Sequence, residues 1–377
     1  MVIEHASPRS QVRRTLADML ADGRLEPGAR LPTVAQFAER FAVARGTVLA
    51  ALAQLESDGL IDNRGHRGRF APARAIRSPS RTALLLADNE LPVDVPIDPG
   101  WDLWLDRGIG AALQRRGLMQ LKAHADALDA PAMARLHADP PLGVLARIDV
   151  AASPDGMRVL DDFIARRVPV VVNHSDARWA ANADRVISDF ALGTRLLVEH
   201  LVARGRRRIL RLWPANLAEA PFWLREREAG FAAAVRDLGL PCLPAQFYAG
   251  LPRNPDSAEH YEQRVRALAG SLVEHFLAPE PPDALMCISD GDATLALSAC
   301  RLFKREPGTD ILVVGYDAYW RTCPERGREL TLLDATIDKR HDDTGEAMVA
   351  MLLERAGGQR SVPQLRLMPP RLVLPRG

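Results

Sequence analysis

From residue 82 onward, short apolar runs alternate with amphipathic stretches, and this alternation constrains the fold more than any other feature of the chain. "TALLLAD" (82–88), "LGVLARID" (142–149), "VPVVVNH" (168–174), "PDALMCISD" (282–290) and "TDILVVGYD" (309–317) read as strands. "DRGIGAALQRRG" (106–117), "GMRVLDDFIARR" (156–167) and "RVRALAGSLVEHFLA" (264–278) read as helices between them. A strand covered on one face alternates apolar and polar residues. Runs that are apolar throughout need cover on both faces, which implies parallel sheets flanked by helices. The segment is long enough for two such sheet-centred lobes. It contains no internal repeat and no low-complexity tract.

The first seventy-odd residues have a different texture. Residues 10–22 predict a helix with Val12, Leu16, Met19 and Leu20 on one face, broken by Gly23, Pro27, Gly28 and Pro32. "TVAQ" (33–36) is a capping box that opens a second helix, with Phe37, Ala38 and Phe41 inward. In "FAVARGTVLAALAQLESDGLI" (41–61), Val48, Ala51, Leu52 and Leu55 recur at helical spacing, so one stripe is buried. The opposite stripe, Arg45, Thr47, Leu49, Ala50 and Gln54, carries almost nothing bulky or charged except the arginine at its start. "LIDNRGHRGRFAP" (60–72) has short extended stretches around Gly65 and Gly68, the pattern of a tight hairpin. Three helices and a hairpin make a winged helix-turn-helix. Up to residue 75 there are eleven arginines and no lysine against eight acids, in a chain whose net charge is only +1. Any anion-binding surface must therefore be local, and Arg45, Arg64, Arg67 and Arg69 are clustered where one would lie.

Composition excludes more than it assigns. Cys242, Cys287, Cys300 and Cys323 form no C-x-x-C pair and no zinc spacing, so they read as free thiols in a reducing compartment, with no metal and no cofactor expected. The start "MVIEHASPRS" has no cationic and apolar export pattern, and no run approaches a membrane span, so a cytoplasmic location is expected. No nucleophile elbow, phosphate-cradling loop or H-E-x-x-H occurs, and the lysines are only Lys122, Lys304 and Lys339. Catalytic residues are not expected, and an enzyme is the weaker alternative.

The first segment resembles the GntR-type winged helix-turn-helix, through "GRLEPGARLP" (23–32), "FAERFAVARGTV" (37–48), "ALAQLESDGLI" (51–61) and the glycine-rich wing. The resemblance implies that the third helix enters the major groove of DNA, with Arg45, Gly46 and Thr47 at its tip. Thr33, Arg64, His66, Arg67 and Arg69 join them as DNA-binding candidates. Arginine in the wing would read minor-groove width. The chain departs from the resembled heads at three positions. Ala35 and Leu49 stand where arginine is usual or frequent, and Ala44 where a capping hydroxyl is usual.

The second segment resembles the LacI/GalR-type sensor, a periplasmic-binding-protein-like fold. The carrying residues are "VPVVVNH", "SDFALGTRLLVEHLVARGRRRIL" (188–210), "REAGFAAAVRDLGL" (227–240), "PDALMCISD", "DILVVGYD" and "TIDKRHDDTGEAM" (336–348). The combination is similar to the arabinose-repressor type. It implies a DNA-binding domain at 1–75, a linker at 76–81 and an effector-binding domain at 82–377. Lobe 1 would comprise about 82–187 and 339–358, and lobe 2 about 188–338 and 359–377. The cleft candidates that follow are Asp88, Asn89, Trp101, Asn173, His174, Arg227, Ser289, Asp290, Asp317 and Lys339.

In the resembled sensors Arg227 and Asp317 would grip sugar hydroxyls through charge-assisted hydrogen bonds. His174, Ser289 and Lys339 replace an aspartate, an asparagine and a glutamine of the resembled pattern. Two of these replacements can be cationic, which points to a sugar acid or sugar phosphate. Both can instead turn outward or pair with acids. Trp101, Trp104, Phe222 and Trp223 can stack on a sugar or pack in the core. The expected protein is a homodimeric, ligand-responsive repressor of carbohydrate genes, bound to palindromic operator DNA and to no membrane. A solute-binding sensor without strong DNA binding is the alternative.

Overall fold

The computed structural model describes residues 8–21, 24–26, 28–57, 60–71, 80–87, 100–179, 181–213, 220–248, 258–358 and 362–375. The chain divides into two compact units, Met1–Ser80 and Arg81–Gly377.

The first unit holds α1 (Pro8–Ala21), α2 (Val34–Phe41) and α3 (Arg45–Ser57), followed by the antiparallel wing strands β1 (Asp62–Asn63) and β2 (Arg69–Phe70). Its core gathers Val12, Leu16 and Leu20 of α1, Phe37 of α2, and Val48, Ala51, Leu52 and Leu55 of α3, with Leu31, Ile61 and Ala71. The heptad-like spacing of α3 therefore buries the stripe that it predicts. Thr33 and Gln36 form the capping box: the Thr33 hydroxyl accepts from the Gln36 N–H while the Gln36 side chain accepts from the Thr33 N–H. Between the wing strands, Gly65–Arg67 make a single 3-10 turn, and Gly68 has φ +93°, a conformation that favours glycine.

The second unit contains two parallel sheets. The first uses β3 (Thr82–Ala87), β4 (Met119–His124), β5 (Gly143–Ala146), β6 (Val170–Val172), β7 (Asp184–Ser188) and β13 (Leu365–Met368), in spatial order β13-β7-β6-β5-β3-β4. The second uses β8 (Ile209–Trp213), β9 (Gln246–Phe247), β10 (Ala284–Cys287) and β11 (Leu312–Val314), in order β11-β10-β8-β9. Each sheet carries a hydrophobic core on both faces, as fully apolar strands require. An antiparallel pair, β12 (Thr336–Asp338) with β14 (Arg371–Val373), adds its Ile337 and Leu372 to the core of the second lobe.

The chain passes between the sheets three times: after β7, after β12, and between β13 and β14. This is a two-lobed architecture with three connecting segments. The expectation that residues 359–377 belong wholly to lobe 2 is corrected. Strand β13 pairs in parallel with β7, Leu365 opposite Arg185 through Met368 opposite Ser188, and so extends the sheet of lobe 1. "LRLM" carries a mid-strand arginine and no apolar run, so only the open edge of β7 made it a strand.

Helices α5 (Ala130–Ala138), α6 (Pro154–Ala165), α7 (Phe190–Ala203), α8 (Phe222–Asp237), α9 (Ala258–Leu277) and α10 (Asp290–Leu302) cover the sheets. Helices α4 (Gly100–Arg115) and α11 (His341–Ala356) pack on the same face of the first sheet and touch backbone to backbone. A Cβ at Gly345 would lie 2.5 Å from Ile109 N and 2.6 Å from Gly108 C, and a Cβ at Gly108 would lie 2.8 Å from Asp342 Cα. This close approach sets the position of the first turn of α11, where the crossover after β12 delivers His341. Gly345→Ala is expected to separate the helices and to destabilise the second unit by about 1–3 kcal/mol. Chemical denaturation of the full-length protein, followed by tryptophan fluorescence, measures this.

Candidate functional site

In the first unit the candidate surface is the exposed side of α3 with the wing. Arg45 is the first residue of α3 and is exposed, at the end where helix N–H groups and the macrodipole favour phosphate. Gly46 is also exposed, and nothing lies within 4 Å of the position its Cβ would take, so the backbone is open to a close neighbour. Thr47 is half-buried behind it, and Leu49 is 50% exposed. His66 and Arg67 stand exposed on the wing turn. The side chain of Thr33 is engaged in its helix cap.

One wing arginine is engaged within the unit and another is oriented by its neighbours. Arg69 is turned inward into an ion pair with Glu56 of α3, both side chains being about three-quarters buried. Burial pushes the Glu56 carboxyl up, but hydrogen bonds from Arg69 and Asn63 outweigh it and hold the group below its ordinary range. Arg69 therefore braces the wing against α3. Arg64 lies over the Phe70 ring, 4.5 Å from its centroid, and donates to Asp62 at 3.4 Å, which fixes its direction without burying it.

In the second unit the candidate residues converge where the lobes meet. Arg227, on α8 (Phe222–Asp237), is only 3% exposed. Its guanidinium carbon sits 3.4 Å from the centroid of the Tyr316 ring and 5.0 Å from that of Trp223, and its Nη1 donates to Ile288 O at 2.8 Å. Its Nη2 lies 3.6 Å from Oδ1 of Asp317, and the Lys339 ammonium lies 2.8 Å from the same oxygen. Burial pushes the Asp317 carboxyl up, yet Lys339 and then Arg227 hold it below the ordinary carboxylate range. The backbone of Asp317 has φ 88° and that of Ala318 φ 55°, sparsely populated for residues with side chains and worth of order 1–3 kcal/mol each.

His174 closes the cleft from lobe 1. Its ring lies tilted against Phe222 of lobe 2 with centroids 3.8 Å apart, and its Nδ1 accepts from the Asp176 N–H at 3.0 Å. Burial lowers the imidazole to about 4 despite Asp176, so at neutral pH it is an uncharged ring with Nε2 as the donor. Beside it, Ser175 donates to Oε1 of Glu226 across the lobes at 2.5 Å. On the other flank Trp104 of α4 faces Tyr319 at 6.3 Å and His341 at 6.0 Å. Burial, reinforced by Lys339, lowers His341 to about 3.

Three expected ligand contacts are corrected. Asn173 donates its amide to Val186 O at 2.8 Å and ties β6 to β7. Ser289 caps α10 (Asp290–Leu302), accepting from the Asp292 N–H and donating to its carboxylate at 2.5 Å. Asp290 is fully buried; its oxygens accept from Trp320 N at 2.8 Å and Thr336 Oγ1 at 2.6 Å, and burial pushes its carboxyl well up. These bonds tie the three groups into the scaffold beside the cleft. Asp88 and Asn89 lie outside the described residues. Trp101 lies in the first turn of α4, with its side chain outside the described atoms. Sequence reading missed His341, the Ser175–Glu226 bond and Tyr316 as the platform for Arg227. Among the described residues no group of His, Cys, Asp and Glu is placed to hold a metal ion, and no helix is long and apolar enough to cross a membrane.

Comparison with known proteins matches residues 8–70 to the gntR family of bacterial regulatory proteins and residues 198–376 to the periplasmic binding protein-like domain. The HTH-type transcriptional regulator Rv1152 of Mycobacterium tuberculosis is 42% identical over 60 residues, which is 16% of this chain and 50% of that protein. The chain thus spans about half the length of this curated relative. A regulatory protein of LacI family from Chloroflexus aggregans superposes with TM-score 0.60 at 21% identity, over 78% of this chain and 97% of that one. The transcriptional regulator CelR in complex with cellobiose superposes with TM-score 0.56 at 18% identity, over 91% and 99%. At these identities the likeness is one of fold.

The two neutral histidines give the second unit a defined acid response. Their folded values lie below the ordinary 6.5, so the unfolded chain binds more protons between about 6.5 and 4, and stability falls as pH drops through that window. Each contributes at most about 1.4 kcal/mol per pH unit. His174→Asn keeps an acceptor for the Asp176 N–H and removes one titration. Its melting temperature, followed by calorimetry from pH 7 to 4.5, is expected to fall less steeply than that of the wild type.

Proposed function

We propose that this chain, in which a gntR-family winged helix-turn-helix precedes a periplasmic binding protein-like body, is a ligand-responsive transcriptional regulator. The observation that carries the reading is the pairing of two features on one chain. One is an arginine-tipped helix with an open backbone at Arg45 and Gly46; the other is a two-lobed body with a charged crevice at Arg227, Asp317 and Lys339. A sensor body closes on a small molecule, and the head responds only if that molecule binds the lobe arrangements with different affinity.

The effector is a carbohydrate derivative bearing an anionic group. The CelR structure holds cellobiose, and the crevice here adds positive charge to a polyol-gripping pair. Arg227 and Lys339 share the single carboxylate of Asp317. His174 contributes a neutral donor and ring, so the anionic preference rests on Lys339 and Arg227. The chain acts as a repressor and as a homodimer on palindromic DNA. Val273 and Leu277 on α9 (Ala258–Leu277), and Leu302 at the end of α10, are exposed leucine and valine side chains suited to a second copy.

Filter binding with the full-length protein tests the whole reading: duplex DNA retained by the protein and released by a sugar acid or sugar phosphate is expected. Retention without any ligand response, or the reverse, overturns the coupling. Arg227→Ala is expected to keep DNA binding and lose the ligand response, read in the same assay. Arg45→Ala is expected to weaken DNA binding and to lower the slope of log K against log salt by about 1, as the loss of one phosphate contact requires.

A further inference from the structure

Leu49 is out of place as a surface residue. Among the described residues of the first unit it is the one exposed large hydrophobic side chain, at 50% exposure. The rotation of α3 leaves it no inward option, because Val48, Ala51, Leu52 and Leu55 occupy the buried stripe. It lies one turn beyond Arg45, about 6 Å further along the axis, on the same outer face as the exposed Ala53. With Gly46 open beside it, the stripe lets the helix backbone come close to whatever it meets.

A leucine has no donor or acceptor. Among the groups that base pairs present in the major groove, only the thymine 5-methyl matches it. Against the polar edge of guanine, cytosine or adenine it would strip water and return no hydrogen bond. The arginine available in the wing to compensate is reduced, since Arg69 is held by Glu56.

We propose that Leu49 is a specificity-determining residue that packs on the 5-methyl group of a thymine, so that each half-site carries a T·A pair beneath it. This rests on the DNA-binding reading above. Arg45 then supplies the charged contact one turn earlier, and the pair reads a guanine or phosphate followed by a methyl.

The probe is the consensus duplex that the full-length wild-type protein selects from a random-sequence library. In fluorescence anisotropy each thymine is replaced in turn by deoxyuridine, which removes only the methyl. One position per half-site is expected to weaken binding about fourfold, the value of one buried methyl group. Leu49→Ala is expected to bind more weakly and to erase the difference between thymine and uracil at that position. Wild-type protein that tolerates uracil everywhere, or a Leu49→Ala protein that still distinguishes the two, overturns the proposal while leaving DNA binding intact. A library that yields no enriched duplex overturns the DNA-binding reading itself, and this inference with it.

Discussion

The carboxylate of Asp317 lies within reach of both the Arg227 guanidinium and the Lys339 ammonium, and the cleft is organised around keeping it there. A buried carboxylate alone would be expensive, and removing one partner of a buried ion pair costs about 3–5 kcal/mol. The site therefore accepts a left-handed backbone at Asp317 and Ala318 to hold the group in place. Arg227 is held in turn by the Tyr316 ring and the Ile288 carbonyl. Lys339 sits in the connection between β12 and α11, so this ion pair links a crossover segment to the sheet end of lobe 2. A ligand that competes for either cation acts directly on that link.

The same logic explains why the flanks are neutral. His174 and His341 are both desolvated beside fixed positive charge, and both lose their protons rather than add to it. His174 then serves as an aromatic plate against Phe222, and His341 as a ring beside Trp104. The cleft is thus a small charged centre between aromatic walls. In the head, burial sorts the arginines in a comparable way. Glu56 takes Arg69 as a brace, Phe70 and Asp62 orient Arg64, and Arg45 is left on the outer face of α3.

Much of the architecture was legible in advance because it is written in local periodicity. The buried stripe of α3, the Thr33–Gln36 capping box and the strands "VVV", "ALMC" and "LVV" all follow from spacings of a few residues. Of the candidate site, Arg227, Asp317 and Lys339 are brought together, whereas Asn173, Ser289 and Asp290 are taken up by the scaffold. Nothing near Asp290 in the chain announces Thr336 as its partner, because the bond spans 46 residues. Strand β13 escaped for a related reason: its identity comes from the free edge of β7, not from its own residues.

The sequence by itself determined which faces are buried, that the sheets are parallel, and where a small basic head gives way to an alternating body. These depend on hydrophobic periodicity, which is a property of neighbours along the chain. Only the tertiary structure decided which charges remain available. Whether Arg69 faces outward or meets Glu56, and whether a histidine carries a proton, depends on desolvation and on partners that the fold brings from a distance.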